Sequence, residues 1–130
     1  MNRSEAEAYA REWADAWNRL DVDAVLEHFA DAVEFSSPIA QVVVGTPTVH
    51  GKQALGEYWR AALKPVESMH FTVARVIWDA ATSELAIIYD RVVNGQGARV
   101  AEVLQFGPDG RVVRGEVFQG VTPVARERAA

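Results

Sequence analysis

From Tyr9 onward the apolar residues Trp13, Ala16, Trp17 and Leu20 recur at spacings of three and four, the period of a helix with one buried face. Ser4 followed three residues later by Glu7 has the form of a capping box, so the spacing predicts a first helix running to about Arg19. Asp21 caps a short second helix whose Val22, Val25, Leu26 and Phe29 share one face, with Glu27 and His28 turned elsewhere. From Ala32 to Ser36 the period falls to two, with Val33 and Phe35 alternating against Glu34 and Ser36. Pro38, which lacks a backbone donor, ends that strand. The stretch from Ile39 to His50 mixes the run Val42-Val43-Val44 with Gly45 and Pro47, and reads either as an edge strand or as a loop across a pocket mouth. Helical spacing returns after Gly51, at Ala54, Leu55, Tyr58, Ala62 and Leu63, and stops at Lys64-Pro65. His50, beside Gly51, is placed to tend the start of this third helix.

Everything beyond Pro65 reads as strand: Glu67 to Trp78, Glu84 to Val93, Arg99 to Phe106 and Arg111 to Gln119, each rich in Val, Ile and aromatics. Asn94-Gly95-Gln96-Gly97 and Gly107-Pro108-Asp109-Gly110 supply the positive-φ and Pro-initiated positions of tight turns, so the strands form an antiparallel meander. Helices first and strands afterwards give an α+β protein, because a parallel sheet needs the two to alternate. Thr122 to Ala130 is small and charged and is expected to fray.

Length and charge narrow the field. The 130 residues fit one domain, 1–130. A formal charge of -5, with no Lys/Arg stripe on any segment, disfavours nucleic acid and anionic membranes as partners. Zero cysteines remove disulfides, thiolate nucleophiles and zinc-thiolate sites together. The N-terminus runs into charged helix with no apolar signal core, and a cytoplasmic location is expected. His28, His50 and His70 have no spacing that suggests metal coordination, so neither metal nor cofactor is expected.

Several short segments then occur in a telling order. Trp17-Asn18-Arg19-Leu20-Asp21 lies between the first helices, Phe29-Ala30-Asp31-Ala32-Val33 leads into the strand, and Pro38 and His50-Gly51 follow. Glu102-Val103-Leu104-Gln105-Phe106, Asp109-Gly110-Arg111-Val112 and Phe118 complete the series. Over nearly the whole chain this order resembles the NTF2-like superfamily, particularly SnoaL-like proteins and ketosteroid isomerases. The resemblance implies a cystatin-like cone: three N-terminal helices packed on a curved antiparallel sheet around an internal pocket. It selects no activity, since the superfamily includes isomerases, cyclases, dehydratases, epoxide hydrolases and silent binding domains.

Ketosteroid isomerase uses an Asp base opposite a Tyr and a protonated Asp. In the resemblance the Tyr position falls on Trp13, whose indole donates a hydrogen bond but does not exchange its proton near neutral pH. The base position falls on Ser37, which has no useful basicity alone. The second acid falls on Glu102, placed by strand alternation with Val100, Leu104 and Phe106 toward the cone. The epoxide hydrolase branch asks for an inward Arg and two inward carboxylates. Here Tyr89 and Arg91 share a face, but the matching place on the last strand is Val117, leaving at most an Arg91 and Glu102 pair.

Glu102 and Arg91 are therefore the candidate catalytic residues, with a structural salt bridge of Glu102 to Arg91 or Arg99 as the competing reading. Trp13, Trp17, Phe29, Tyr58, Trp59 and Tyr89 serve as core or as a platform for a flat ligand. Ser37, Leu104, Phe106, Val117 and Gln119 complete the expected ligand contacts, and His70 is an alternate base if its strand turns it inward. The expectation is a pocket for a small apolar molecule. Cofactor-free acid/base chemistry of isomerase, cyclase or dehydratase type is one outcome, and a non-catalytic binding or dimeric interaction domain the other. Relatives commonly pair through the outer sheet face, here Val103, Gln105, Arg114, Glu116 and Phe118, so a homodimer is expected.

Overall fold

Helix α1 (Arg3–Asn18) starts at Asn2, two residues before the expected cap. The Asn2 side chain accepts from the Glu5 N–H at 2.9 Å, and the Glu5 carboxylate accepts from the Asn2 N–H at 2.9 Å, so the capping box is Asn2 with Glu5. The computed structural model describes residues 1–121, and the tail from Thr122 to Ala130 lies outside the described residues. Helix α2 (Val22–Leu26) is capped as expected by Asp21, which accepts from Ala24 N–H at 3.1 Å. Phe29 does not extend that helix's apolar face; it opens strand β1 (Phe29–Ser36) and is fully buried there.

The undecided segment is a helix followed by a strand. Ser37 caps α3 (Pro38–Val44), Pro38 occupies its first turn, and Gly45 ends it at φ 81, where a side chain would be strained. Strand β2 (Thr48–His50) then lies antiparallel to β1. Among the described residues the helices therefore number four rather than three, the last being α4 (Lys52–Leu63). His50 does not cap α4: it stands 3.5 Å from the Glu34 carboxylate across the β1–β2 ladder.

The remaining strands are β3 (Met69–Asp79), β4 (Glu84–Val93), β5 (Gln96–Phe106) and β6 (Val112–Gln119), in a sheet of order β2-β1-β6-β5-β4-β3. β3 to β6 form the expected antiparallel meander. One pairing departs from an all-antiparallel sheet: β1 runs parallel to β6. A bulge between Val73 and Arg75 bends β3 around the helices.

The core fills the inner face. Ala98, Val100, Glu102, Leu104 and Phe106 of β5 and Leu85, Ile87 and Tyr89 of β4 all point into it. Helix α1 crosses β3 and is fastened there by Asn18, which donates to the Phe71 carbonyl at 3.0 Å and accepts from the Phe71 N–H at 2.7 Å. The Phe71 ring beneath packs against both Trp13 and Trp17. On the other flank α4 rests on β1, where the Phe35 ring leans across Gly115 of β6. A Cβ at Gly115 would lie 2.7 Å from that ring, which fixes glycine at this point of β6.

Candidate active site

A cavity of about 640 Å³ opens between α4, the start of α3 and the inner face of β3 to β6. Its apolar walls come from Trp17, Phe35, Trp59, Leu63, Phe71 and Val117, and its polar groups from Ser37, Tyr58, Tyr89, Arg91, Glu102 and Gln119. Nine of the expected contacts thus come together: Trp17, Ser37, Tyr58, Trp59, Tyr89, Arg91, Glu102, Val117 and Gln119. Trp13, Phe29, Leu104 and Phe106 do not line it and are packed in the core instead. Phe29 sits edge-on to Phe35 and Trp59, and Phe106 sits at the far end against Tyr9 and Trp78. Alternation marked the inward face of Leu104 and Phe106 correctly, but an inward residue in a tapered fold meets other side chains before it meets the cavity.

Register sets the spacing of the polar groups. Glu102 lies opposite Ile87 and Val117, Tyr89 opposite Val100, and Arg91 opposite Ala98. Glu102 and Arg91 therefore share a face four residues apart along the ladder, about 13 Å at a strand rise of ~3.3 Å per residue. Among the described residues neither joins an ion pair. Arg99, the other proposed partner of Glu102, points to the opposite face and holds Asp90 through two bonds of 2.6 and 3.2 Å. The salt-bridge reading of Glu102 is not what the structure holds.

Glu102 is 5% exposed. Burial pushes its carboxyl from the ordinary 4.5 up to about 8, because the charged form loses its hydration. The indole N–H of Trp13 opposes this. Yet Trp13 Nε1 completes no hydrogen bond and is left without a partner, so it acts as a nearby dipole rather than as a bonded donor. At neutral pH Glu102 is consequently a protonated acid facing an apolar cavity.

The tyrosines are donors rather than bases. Burial raises Tyr89 well above its ordinary value and raises Tyr58 as well, and the Tyr58 O–H donates to Ser37 Oγ at 3.3 Å. Ser37 Oγ also accepts from the Ile39 N–H at 3.2 Å as the cap of α3, which commits the hydroxyl to structure. His70 is exposed because its inward neighbour is Phe71, so β3 turns the imidazole away from the cavity. Sequence reasoning passed over the wall residues Phe35, Leu63 and Phe71, and also Tyr9, which lies outside the cavity lining one helical turn before Trp13. Its buried hydroxyl has no partner, and its pKa is raised first by burial and then by Glu102. The i,i+4 spacing to Trp13 was the signal that could have found it. No cluster of three His, Cys, Asp or Glu that could hold a metal occurs among the described residues, and no helix there is long and apolar enough to cross a membrane.

Helices packed on a curved six-stranded sheet, with one cavity walled by aromatics around a buried carboxyl, define the NTF2-like, cystatin-like architecture. The chain belongs to the SnoaL-like domain family, whose profile matches residues 10–115. It is similar to a SnoaL-like protein of unknown function from Burkholderia thailandensis, at 35% identity over 92% of this chain and 97% of that one, with a TM-score of 0.80. An NTF2-like protein of unknown function from Burkholderia pseudomallei shares 21% identity over 100% of both chains, with a TM-score of 0.76. A Kribbella flavida protein provisionally described as a ketosteroid isomerase shares 19% over 91% of this chain and 79% of that one, with a TM-score of 0.69. The last two bear on the fold alone. No curated protein matches the chain.

Proposed function

We propose that the chain binds a small apolar molecule in the cone and uses Glu102 as a proton donor in cofactor-free chemistry of the isomerase, cyclase or dehydratase type. The observation that carries this reading is the unpaired, buried Glu102 in the wall of the cavity of about 640 Å³. A carboxyl still protonated at pH 7 donates to a carbonyl oxygen as that oxygen gains negative charge, or protonates a departing hydroxyl so that it leaves as water, and the carboxylate so formed takes up the carbon-bound proton that the substrate loses, which restores the acid. The test is extraction of ligand from protein purified without additives, followed by incubation of that ligand with wild type and with Glu102→Gln. Turnover by wild type alone, with both forms retaining ligand, supports the proposal; equal processing by both sinks the role of Glu102.

A second reading, a binding domain without turnover, is favoured by Ser37. It occupies the place where a general base would stand, and it is tied to Tyr58 and to the α3 backbone. Ligand retained unchanged by both forms would select this reading.

We also propose that a second copy covers the outer sheet face. Two adjacent ladder rows there are largely apolar: Ile77, Ala86 and Val103 beside Glu116, and Ile88, Ala101 and Phe118 beside Arg75. Phe118 is 49% exposed in the single chain, and pairing through this face would remove it from water together with the apolar rows beside it.

A further inference from the structure

Arg91 has an unusual position for a guanidinium. It is half-buried, it lines the cavity between Phe71 of β3 and Ala98 of β5, and among the described residues it makes neither a hydrogen bond nor an ion pair. A cation taken partly out of water is ordinarily paired, since its lost hydration must be replaced by an anion or by several acceptors. The polar neighbours at this end of the cavity do not supply that. Asn94 has its side-chain oxygen fully occupied, accepting from the Glu67 and Ser68 N–H groups at 2.7 and 3.1 Å, while its amide nitrogen donates to the Pro65 carbonyl at 3.1 Å. Gln96 and Gln119 are neutral and exposed. Apart from Glu102 and the tyrosines, Arg91 is the only ionisable side chain in the lining among the described residues.

The second observation is the geometry between the two ends. Glu102 is deep and Arg91 lies four ladder positions further along the same inner face, about 13 Å between backbones. The aromatic rings of Trp17, Trp59, Phe71 and Tyr89 fill the wall of the same cavity. The cavity therefore offers a cationic end, an aromatic waist and a deep end where a neutral hydrogen-bond donor stands.

We infer that the ligand is a monoanionic amphiphile: an apolar, ring-sized body whose single carboxylate or comparable anionic group pairs with Arg91, with a neutral oxygen at the other end accepting from Glu102. The anion completes the guanidinium through paired N–H···O bonds. The orientation is fixed as well, because a ligand inserted the other way round would set its charge beside Glu102, away from any cation. In a chain whose formal charge is -5 this cation makes the cavity an exception to the sign of the whole protein, and that sets the class of ligand it admits.

This inference rests on the reading of the cavity as a binding pocket, and one titration series separates the two. Isothermal titration calorimetry at pH 7 and low salt compares 2-naphthoate, 2-naphthamide and 2-naphthylmethylammonium, which differ in charge but share one ring system. The expected result is 2-naphthoate binding at least about tenfold more tightly than either other probe, with the advantage lost in Arg91→Gln. Retained binding of 2-naphthamide by Arg91→Gln shows that the variant is folded, and if the variant does not fold, the wild-type series decides. Equal affinities in wild type, or a preference for the ammonium probe, overturn the anionic ligand and leave the pocket standing. An anion preference that survives in folded Arg91→Gln overturns the assignment to Arg91. Failure of all three probes to bind at millimolar concentration overturns the pocket reading, and this inference with it.

Discussion

A buried carboxyl that keeps its proton to about pH 8 must leave a mark on stability, and the mark has a definite sign. Below pH 4.5 Glu102 is protonated in the folded and in the unfolded chain, and its stabilising effect is fully present. Between about 4.5 and 8 the unfolded chain sheds the proton while the folded chain keeps it, so stability falls as pH rises, by up to about 1.4 kcal/mol per pH unit. Above pH 8 both states are ionised and the loss levels off at about 5 kcal/mol, a large part of the ~5–15 kcal/mol that holds a typical domain together. Other groups titrate over the same window, so the perturbation of choice is Glu102→Gln, which keeps the shape and removes the ionisation. The amide carries hydrogen-bonding needs of its own, but these do not change with pH, and the slope of the difference is the readout. Urea denaturation of both proteins from pH 4.5 to 9 should show the variant gaining on wild type by several kcal/mol across the range. A difference that stays flat would mean that Glu102 is ionised in the folded chain at neutral pH, and the proton-donor role would fall with it.

Asn18→Ala removes both bonds to the Phe71 backbone and leaves a part-buried N–H and C=O unpaired; a loss of about 2–3 kcal/mol in denaturant unfolding is expected, and an unchanged midpoint would refute the fastening of α1 to β3. Gly115→Ala drives a methyl group into the Phe35 ring and should cost about 1–3 kcal/mol, with wild-type stability arguing that β1 and β6 can part at that point without penalty. Phe118→Glu should halve the mass seen by light scattering if the outer face carries a second copy; a monomeric wild type, or a variant that remains dimeric, rules that face out.

The elements most legible in the sequence were those that bury one continuous face. The Trp13 and Trp17 stripe gave α1, and the alternation of Val100, Glu102, Leu104 and Phe106 set the inward direction of β5. Helix α3 escaped because its determinants are at its ends, in Ser37, Pro38 and Gly45, while its Val run contradicts the usual sense of an apolar stretch: Val42 is 85% exposed. Phe29 suits a helical face by spacing, yet the strand that follows claims it, since spacing alone does not arbitrate between neighbouring elements. The parallel union of β1 and β6 was out of reach because no turn joins them and only the packed helices bring them side by side. In the candidate site the sequence identified which residues share a face. It did not reveal that Arg91 and Glu102 form no ion pair and stand four positions apart along the ladder, which depends on the pairing of β4 with β5.

That parallel union also has a meaning in time. Among the described strands β1 comes first along the chain and its inner neighbour β6 comes last, so one long edge of β1 has nothing to pair with until β6 has been made. Without β6 the sheet is in two parts, β1 and β2 beside α4 and the hairpins of β3 to β5 beside α1, linked only through helix packing such as Trp17 against Trp59. Closing the span between them is a long-range event, of the kind that slows folding and lengthens the exposure of unpaired strand to other chains. A chain cut short before β6 would not lack a mere rim of the sheet; it would lose the strand that joins the two halves of the sheet.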